Sequence, residues 1–296
     1  MPAIHPIGYH GAGYGTIMRA TKGEVMTKPA FENHPIFRME GPLATITFNR
    51  PDKANAMHPD QNGMMRDFLY EVERKPEIRC VLLNGNGKHF MAGGDLSTIV
   101  HFDQLTDAER TRQGEVPIWD YVHMARVMQR LDKPVVASVQ GGVAGAAVGL
   151  IAACDLVIAA DTSFYWAAHI LHGGSNDGLL TYFLPRHIGL RRSLEMALLG
   201  ERVYAPQAKE FGLVNFVVPE DKLQEETQKL VDRLCKGPTI GYGLIKKLMY
   251  ASFRNSLAEQ GEMEAELYGS RALHTADVKD GLKAFFERRP PNFQGK

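Results

Sequence analysis

The run Pro134-Val135-Val136-Ala137-Ser138-Val139 leads almost at once into Gly141-Gly142-Val143-Ala144-Gly145-Ala146-Ala147-Val148-Gly149-Leu150. The first stretch has the length and apolar content of a buried strand, and the second is a helix start built almost wholly of small residues. A helix beginning there presents free backbone N–H groups, with the positive end of its dipole behind them. Such a place suits a developing oxyanion.

A second loop of the same kind lies upstream. Phe90-Met91-Ala92-Gly93-Gly94-Asp95-Leu96 follows the apolar run Cys80 to Asn84 and the turn-forming Gly85-Asn86-Gly87. Two such loops are able to give one N–H apiece to a single substrate oxygen. Taken singly, each has a plainer reading, a tight strand-to-helix turn in which glycine avoids a clash.

Short apolar strands alternate with helical patterns along the chain. Strands on either side of a Gly41-Pro42 turn are predicted within 36–49, and a helix over 58–75, where Met64, Met65, Phe68, Leu69 and Val72 recur at helical spacing. A strand at 79–84, a helix at 118–130, a strand at 134–139, a helix at 146–153 and a strand at 155–160 follow. This alternation predicts an α/β fold of stacked β-β-α units with the helices outside the sheets. Beyond Pro206 the chain turns helical, with amphipathic stretches at 223–236 and 243–268. Residues 1–33 carry neither period and read as a flexible arm, leaving 34–220 as the core and 221–296 as a C-terminal helical region.

The 34 basic and 34 acidic side chains cancel, so no global field draws the chain to nucleic acid or to an anionic membrane. Any phosphate site must be local. Cys80, Cys154 and Cys235 lack metal-ligand spacing and read as buried thiols in a reducing compartment. No apolar stretch reaches the length of a membrane span, and residues 1–27 lack the continuous apolar segment of a signal peptide. A cytoplasmic protein is expected.

Several phrases, in order, go with the two loops. They are Asn49-Arg50-Pro51-Asp52-Lys53-Ala54-Asn55-Ala56-Met57, Ala153-Cys154-Asp155-Leu156-Val157, Phe183-Leu184-Pro185-Arg186-His187-Ile188-Gly189, Phe211-Gly212-Leu213-Val214-Asn215 and Asp280-Gly281-Leu282-Lys283-Ala284-Phe285-Phe286. Together they resemble the crotonase superfamily, also called the enoyl-CoA hydratase/isomerase family, over residues 34 to 293. The resemblance implies a crotonase-like spiral of β-β-α units with a C-terminal helical layer, assembled as a homotrimer or a dimer of trimers. It also implies an acyl-CoA thioester substrate and no cofactor beyond the CoA moiety.

Carried over by motif, the oxyanion donors are the backbone N–H groups of Gly94 and Ala146. CoA contacts fall on Lys53, Ala54, Ala92, Asp95 and Leu96. Hydratases of the family position water with two glutamates. The first of those positions holds Gly149 here, and the second falls on Ala168, or on His169 if one residue is inserted, so both glutamates are missing. Asp177 matches an aspartate that several family isomerases use to move a proton between carbons. His169 is a second proton carrier, since a neutral imidazole acts as a base near pH 7. His172 is a weaker candidate. Tyr165 and Trp166 read as walls for a bulky acyl group or, equally, as core packing.

The expected reaction is therefore double-bond isomerisation of an enoyl-CoA through a thioester enolate. A hydratase, hydrolase or ring-opening enzyme in which His169 or Asp177 activates water is the first alternative. A silent binder of CoA esters or RNA is the second. Ser138, Asp155 and His169 lack the elbow motif of a hydrolytic triad.

Overall fold

A computed structural model describes residues 34–99 and 102–296, and the arm expected at 1–33 lies outside them. The chain runs β1 (Ile36–Glu40), β2 (Leu43–Phe48), α1 (Pro59–Glu73), β3 (Cys80–Gly85), α2 (Asp107–Arg130), β4 (Val135–Val139), β5 (Gly142–Ala144) and α3 (Ala146–Ala152). It continues with β6 (Leu156–Ala160), β7 (Phe164–Trp166), α4 (Leu180–Ile188), α5 (Leu190–Leu199), β8 (Arg202–Tyr204), α6 (Ala205–Phe211) and β9 (Phe216–Val218). Four helices close it: α7 (Leu223–Cys235), α8 (Thr239–Ala251), α9 (Leu257–Ser270) and α10 (Ala276–Glu287).

Six strands form one sheet in the order β1-β2-β3-β4-β6-β9, antiparallel only between β1 and β2. Three short strands form a second sheet, β5-β7-β8. Every residue of β4 is buried, because its alternating side chains meet two different cores. Val135, Ala137 and Val139 join the main core with Met65, Phe68 and Leu69 of α1 and Met124 of α2. Val136 faces the other way, into a cluster with Cys80, Leu82 and Ile158 capped by Val231 and Leu234 of α7. Helices thus cover both faces of the larger sheet, as the alternating pattern implies.

Two helix boundaries differ from the sequence-based expectation, and both differences come from caps. α2 begins at Asp107 rather than near Ile118, because Thr106 and Glu109 form a capping box that outweighs Gly114 and Pro117 in the following turns. The stretch expected as one helix over 243–268 is two. α8 stops at Ala251, and Ser256 starts α9 by accepting from the Glu259 N–H while the Glu259 carboxylate accepts from the Ser256 N–H. Among the described residues no helix is long and apolar enough to cross a membrane.

Candidate active site

The two small-residue loops meet. Leaving β4, the chain enters β5, where the Ala144 N–H donates to Met91 O at 3.0 Å and the Met91 N–H to Gly142 O at 3.3 Å. Gly145 follows with φ 56° and ψ −132°, donates its N–H to Trp166 O at 2.9 Å and caps α3, so Ala146 is the first helical residue. On the facing side Met57 fixes the other loop at both ends, donating its N–H to Gly93 O at 2.8 Å and accepting from the Asp95 N–H at 2.9 Å.

Gly93 has φ +88°, and a Cβ there would stand 2.7 Å from Ala144 O and 3.4 Å from the Ala146 nitrogen. Only glycine permits both that backbone conformation and that approach. The Gly94 and Ala146 N–H groups therefore come from touching segments. Among the described residues neither finds a protein acceptor. Buried N–H groups are nearly always paired, so a free one on Ala146, which is 3% exposed, stands ready for an external oxygen.

The two residues expected to carry protons, His169 and Asp177, sit on the other side of the same helix start. A 3-10 turn, Ala168–His172, ends at Gly173 and releases a loop that reaches Asp177 before Gly178 and Leu179, both left-handed, open α4. His169 is buried, with 7% exposure, whereas the Asp177 side chain is 45% exposed. His169 Nε2 lies 2.8 Å from Asp177 Oδ1, and its Nδ1 lies 3.0 Å from Asn176 Nδ2. A Cβ on Gly145 would be 3.6 Å from His169 Nε2, which sets the imidazole edge against the cap of α3.

That loop rests on α3 main chain to main chain. A Cβ on Gly178 would lie 2.6 Å from Ala146 Cα, and one on Gly149 would overlap the Gly178 carbonyl oxygen and come within 2.8 Å of Leu180 N. Position 149, where the resemblance puts a hydratase glutamate, is thus not an empty slot here. The backbone carrying Asp177 fills it.

The residues expected at the CoA site are held together as two joined phrases. Lys53 is exposed at the end of the Pro51–Lys53 turn, and Ala54, with φ 48°, accepts the Ala92 N–H at 2.9 Å. Asp95 pairs with Arg50 at 2.9 Å. Burial opposes its ionisation, but the bonds from Ser97 and Arg50 outweigh that and hold its carboxyl below the usual range. Leu96 is 53% exposed. Arg50, which also donates to Ala56 O at 2.7 Å, was not singled out from the sequence.

Tyr165 takes the packing role, and Trp166 is half-buried. Tyr165 is fully buried in the main core, its hydroxyl 3.3 Å from Ser163 Oγ, and burial pushes its titration up. Trp166 donates its indole N–H to Gly200 O at 2.7 Å and lies under the Arg202 guanidinium, 4.7 Å from the ring centroid. His172 is exposed, with its ring 6.2 Å from that of His169.

Ser138, Asp155 and His169 are not assembled. Ser138 bonds Thr227 at 2.7 Å on the α7 side of the sheet, and Asp155 pairs with buried Lys246 at 2.6 Å. Two further polar groups escape sequence reading. One is Asn176, and the other is Tyr121 of α2, whose buried hydroxyl has no partner among the described residues. Burial first, then the charges of Asp177 and Asp120, push its titration upward, so it stays a neutral phenol.

Residues 38–296 match the family described as enoyl-CoA hydratase/isomerase. The chain is 34% identical over 264 residues to 1,2-epoxyphenylacetyl-CoA isomerase of Escherichia coli, covering 87% of this chain and 97% of that one. It is 33% identical over 262 residues to trans-2-decenoyl-[acyl-carrier-protein] isomerase of Streptococcus mutans, covering 88% and 98%. A crystal structure of an enoyl-CoA hydratase from Polaromonas sp. JS666 superposes with a TM-score of 0.80 at 28% identity, over 87% of this chain and 98% of the other. Sequence over most of its length and fold agree: this chain is an enzyme of the enoyl-CoA hydratase/isomerase family.

Proposed function

We propose that the enzyme moves a carbon–carbon double bond along an enoyl-CoA thioester by way of an enolate. The observation that carries the reading is the pairing of Asp177 with His169 beside the α3 cap, with no side chain at position 149. A thioester oxygen between the N–H groups of Gly94 and Ala146 gains charge as the α-carbon loses its proton, so donors aimed there favour the enolate over the ketone-like ground state. Asp177 takes that proton and returns it to the γ-carbon. The double bond ends between the α- and β-carbons, and no atom is gained or lost. Hydration needs an acid and a base placed on water, and the first glutamate position is closed by the Gly178 carbonyl. The similarity to trans-2-decenoyl-[acyl-carrier-protein] isomerase supports the same reading.

Incubation of a panel of linear, branched, cyclic and aromatic enoyl-CoA thioesters tests this by mass. Isomerisation leaves the mass unchanged, and a gain of one water would overturn the reading. A saturated acyl-CoA should exchange its α-protons in deuterated water, which a silent binder would not achieve. Gly94→Pro removes one proposed oxyanion donor that bonds no protein acceptor, so turnover should fall about 100- to 1,000-fold, with thermal unfolding measured to establish that the variant folds. Equal turnover would remove Gly94 from the site.

The assembly proposed is a homotrimer or a dimer of trimers. Supporting it, the C-terminal helices leave Met249, Leu257, Phe285 and Phe286 between 66% and 93% exposed in a single chain, more apolar surface than a monomer commonly leaves in water. Light scattering at micromolar concentration should give three or six chain masses, and a monomer would refute the assembly.

A further inference from the structure

His169 stands between two partners that make different demands. Asp177, as a carboxylate, only accepts, so the nitrogen facing it at 2.8 Å must carry a proton. Asn176 presents its amide nitrogen, which only donates, 3.0 Å from the other ring nitrogen, so that nitrogen must offer a lone pair. Both demands are met by one form of the ring, the neutral imidazole with its proton on Nε2. The opposite orientation of the amide would ask for an N–H on Nδ1 as well, and the ring would then have to be a cation. The charge facing the ring is the Asp177 carboxylate, which holds a proton on Nε2; on the other side the Asn176 amide N–H offers no acceptor to a second N–H on Nδ1, so the neutral Nε2–H form is the one that fits both partners.

We infer that Asn176 is a positioning residue: by donating to Nδ1 it fixes His169 as the Nε2–H tautomer, so the histidine orients the Asp177 carboxylate by hydrogen bonding and does not itself accept the substrate proton. The catalytic consequence rests on Asp177 being the proton shuttle; the tautomer itself does not. With Nε2 already protonated and Nδ1 occupied, the ring has no free lone pair for water or for a carbon-bound proton. Asp177, by contrast, keeps a second oxygen and an exposed face.

The test is a nitrogen–proton NMR correlation on the full chain labelled with 15N, with the His169 ring identified by its loss in His169→Gln. Wild type at neutral pH should show a neutral ring protonated on Nε2. A proton on Nδ1, or on both nitrogens, would overturn the proposal whatever the enzyme catalyses. In Asn176→Asp, a variant of the same shape, both nitrogens face acceptors, and the ring should become the doubly protonated cation. Turnover number should drop roughly tenfold with little change in KM, since proton transfer is weakened and binding is not. An unchanged ring signal in Asn176→Asp would show that Asn176 does not set the tautomer. If the wild-type ring behaves as expected but Asp177→Asn stays active, the proton-shuttle reading fails and the tautomer assignment survives.

Discussion

Gly149→Glu should leave the enzyme without turnover of either kind, isomerisation or hydration. Restoring the residue that the family's hydratases carry would be the obvious route to a water-adding enzyme, and the packing forbids it. Any Cβ on Gly149 meets the Gly178 carbonyl oxygen at less than contact distance, with Gly178 C and Leu180 N each 2.8 Å away. These are backbone atoms, so no rotamer change relieves the clash. The 173–179 loop must lift off α3, and Asp177 loses the place in which the proposed mechanism needs it. A shift of about 1 Å in a reacting group costs about a hundredfold in rate, and forced overpacking costs about 1–3 kcal/mol of stability. Gly149→Ala should already lose most activity, because the collision begins at the β-carbon. The check is turnover of a 3-enoyl-CoA and hydration of a 2-enoyl-CoA, with thermal unfolding to establish that the variant folds. A folded Gly149→Glu enzyme that hydrates would refute the account.

Asp177→Asn removes the proton acceptor while keeping its size and its ability to accept the His169 Nε2–H. Turnover should fall by about 100- to 10,000-fold, the range that a general base contributes, and acyl-CoA affinity should hardly change. His169→Gln should do less damage, since it takes away orientation and leaves the carboxylate. Measuring kcat and the dissociation constant of a saturated acyl-CoA for both variants decides the matter. An active Asp177→Asn beside a dead His169→Gln would hand the chemistry to the histidine and favour water activation.

Much of this was legible before any coordinates. The strand at 134–139 and the helix at 146–153 match β4 and α3 to within a residue, because an apolar run and a small-residue helix start are local signals. Asp177 was reached through motif resemblance, not through its own surroundings, since an aspartate before glycine reads as a turn. Asn176 was missed for a similar reason: an asparagine in a glycine-rich loop has no pattern that marks its partner, and His169 is seven residues away through an irregular path. Tyr121 stood in an apolar helical stripe, where nothing signals a hydroxyl without a partner. Tyr165 and Trp166 sit in a strand of three residues, too short for alternation to say which face is core.

A contact made almost wholly of main-chain atoms has consequences for how this enzyme can change. Where loop and helix touch through Gly149 and Gly178, no side chain larger than the Ala146 methyl is there to trim or re-angle. The N–H groups of Gly94 and Ala146, proposed as oxyanion donors, are also backbone groups and tolerate exchange of the side chains around them. Single mutations that keep the fold can therefore retune the rim, through Asn176, His169 or Asp177, but cannot slide the floor on which those residues stand. A laboratory or a lineage seeking a different reaction would have to exchange the whole 173–179 segment together with position 149, as one cassette.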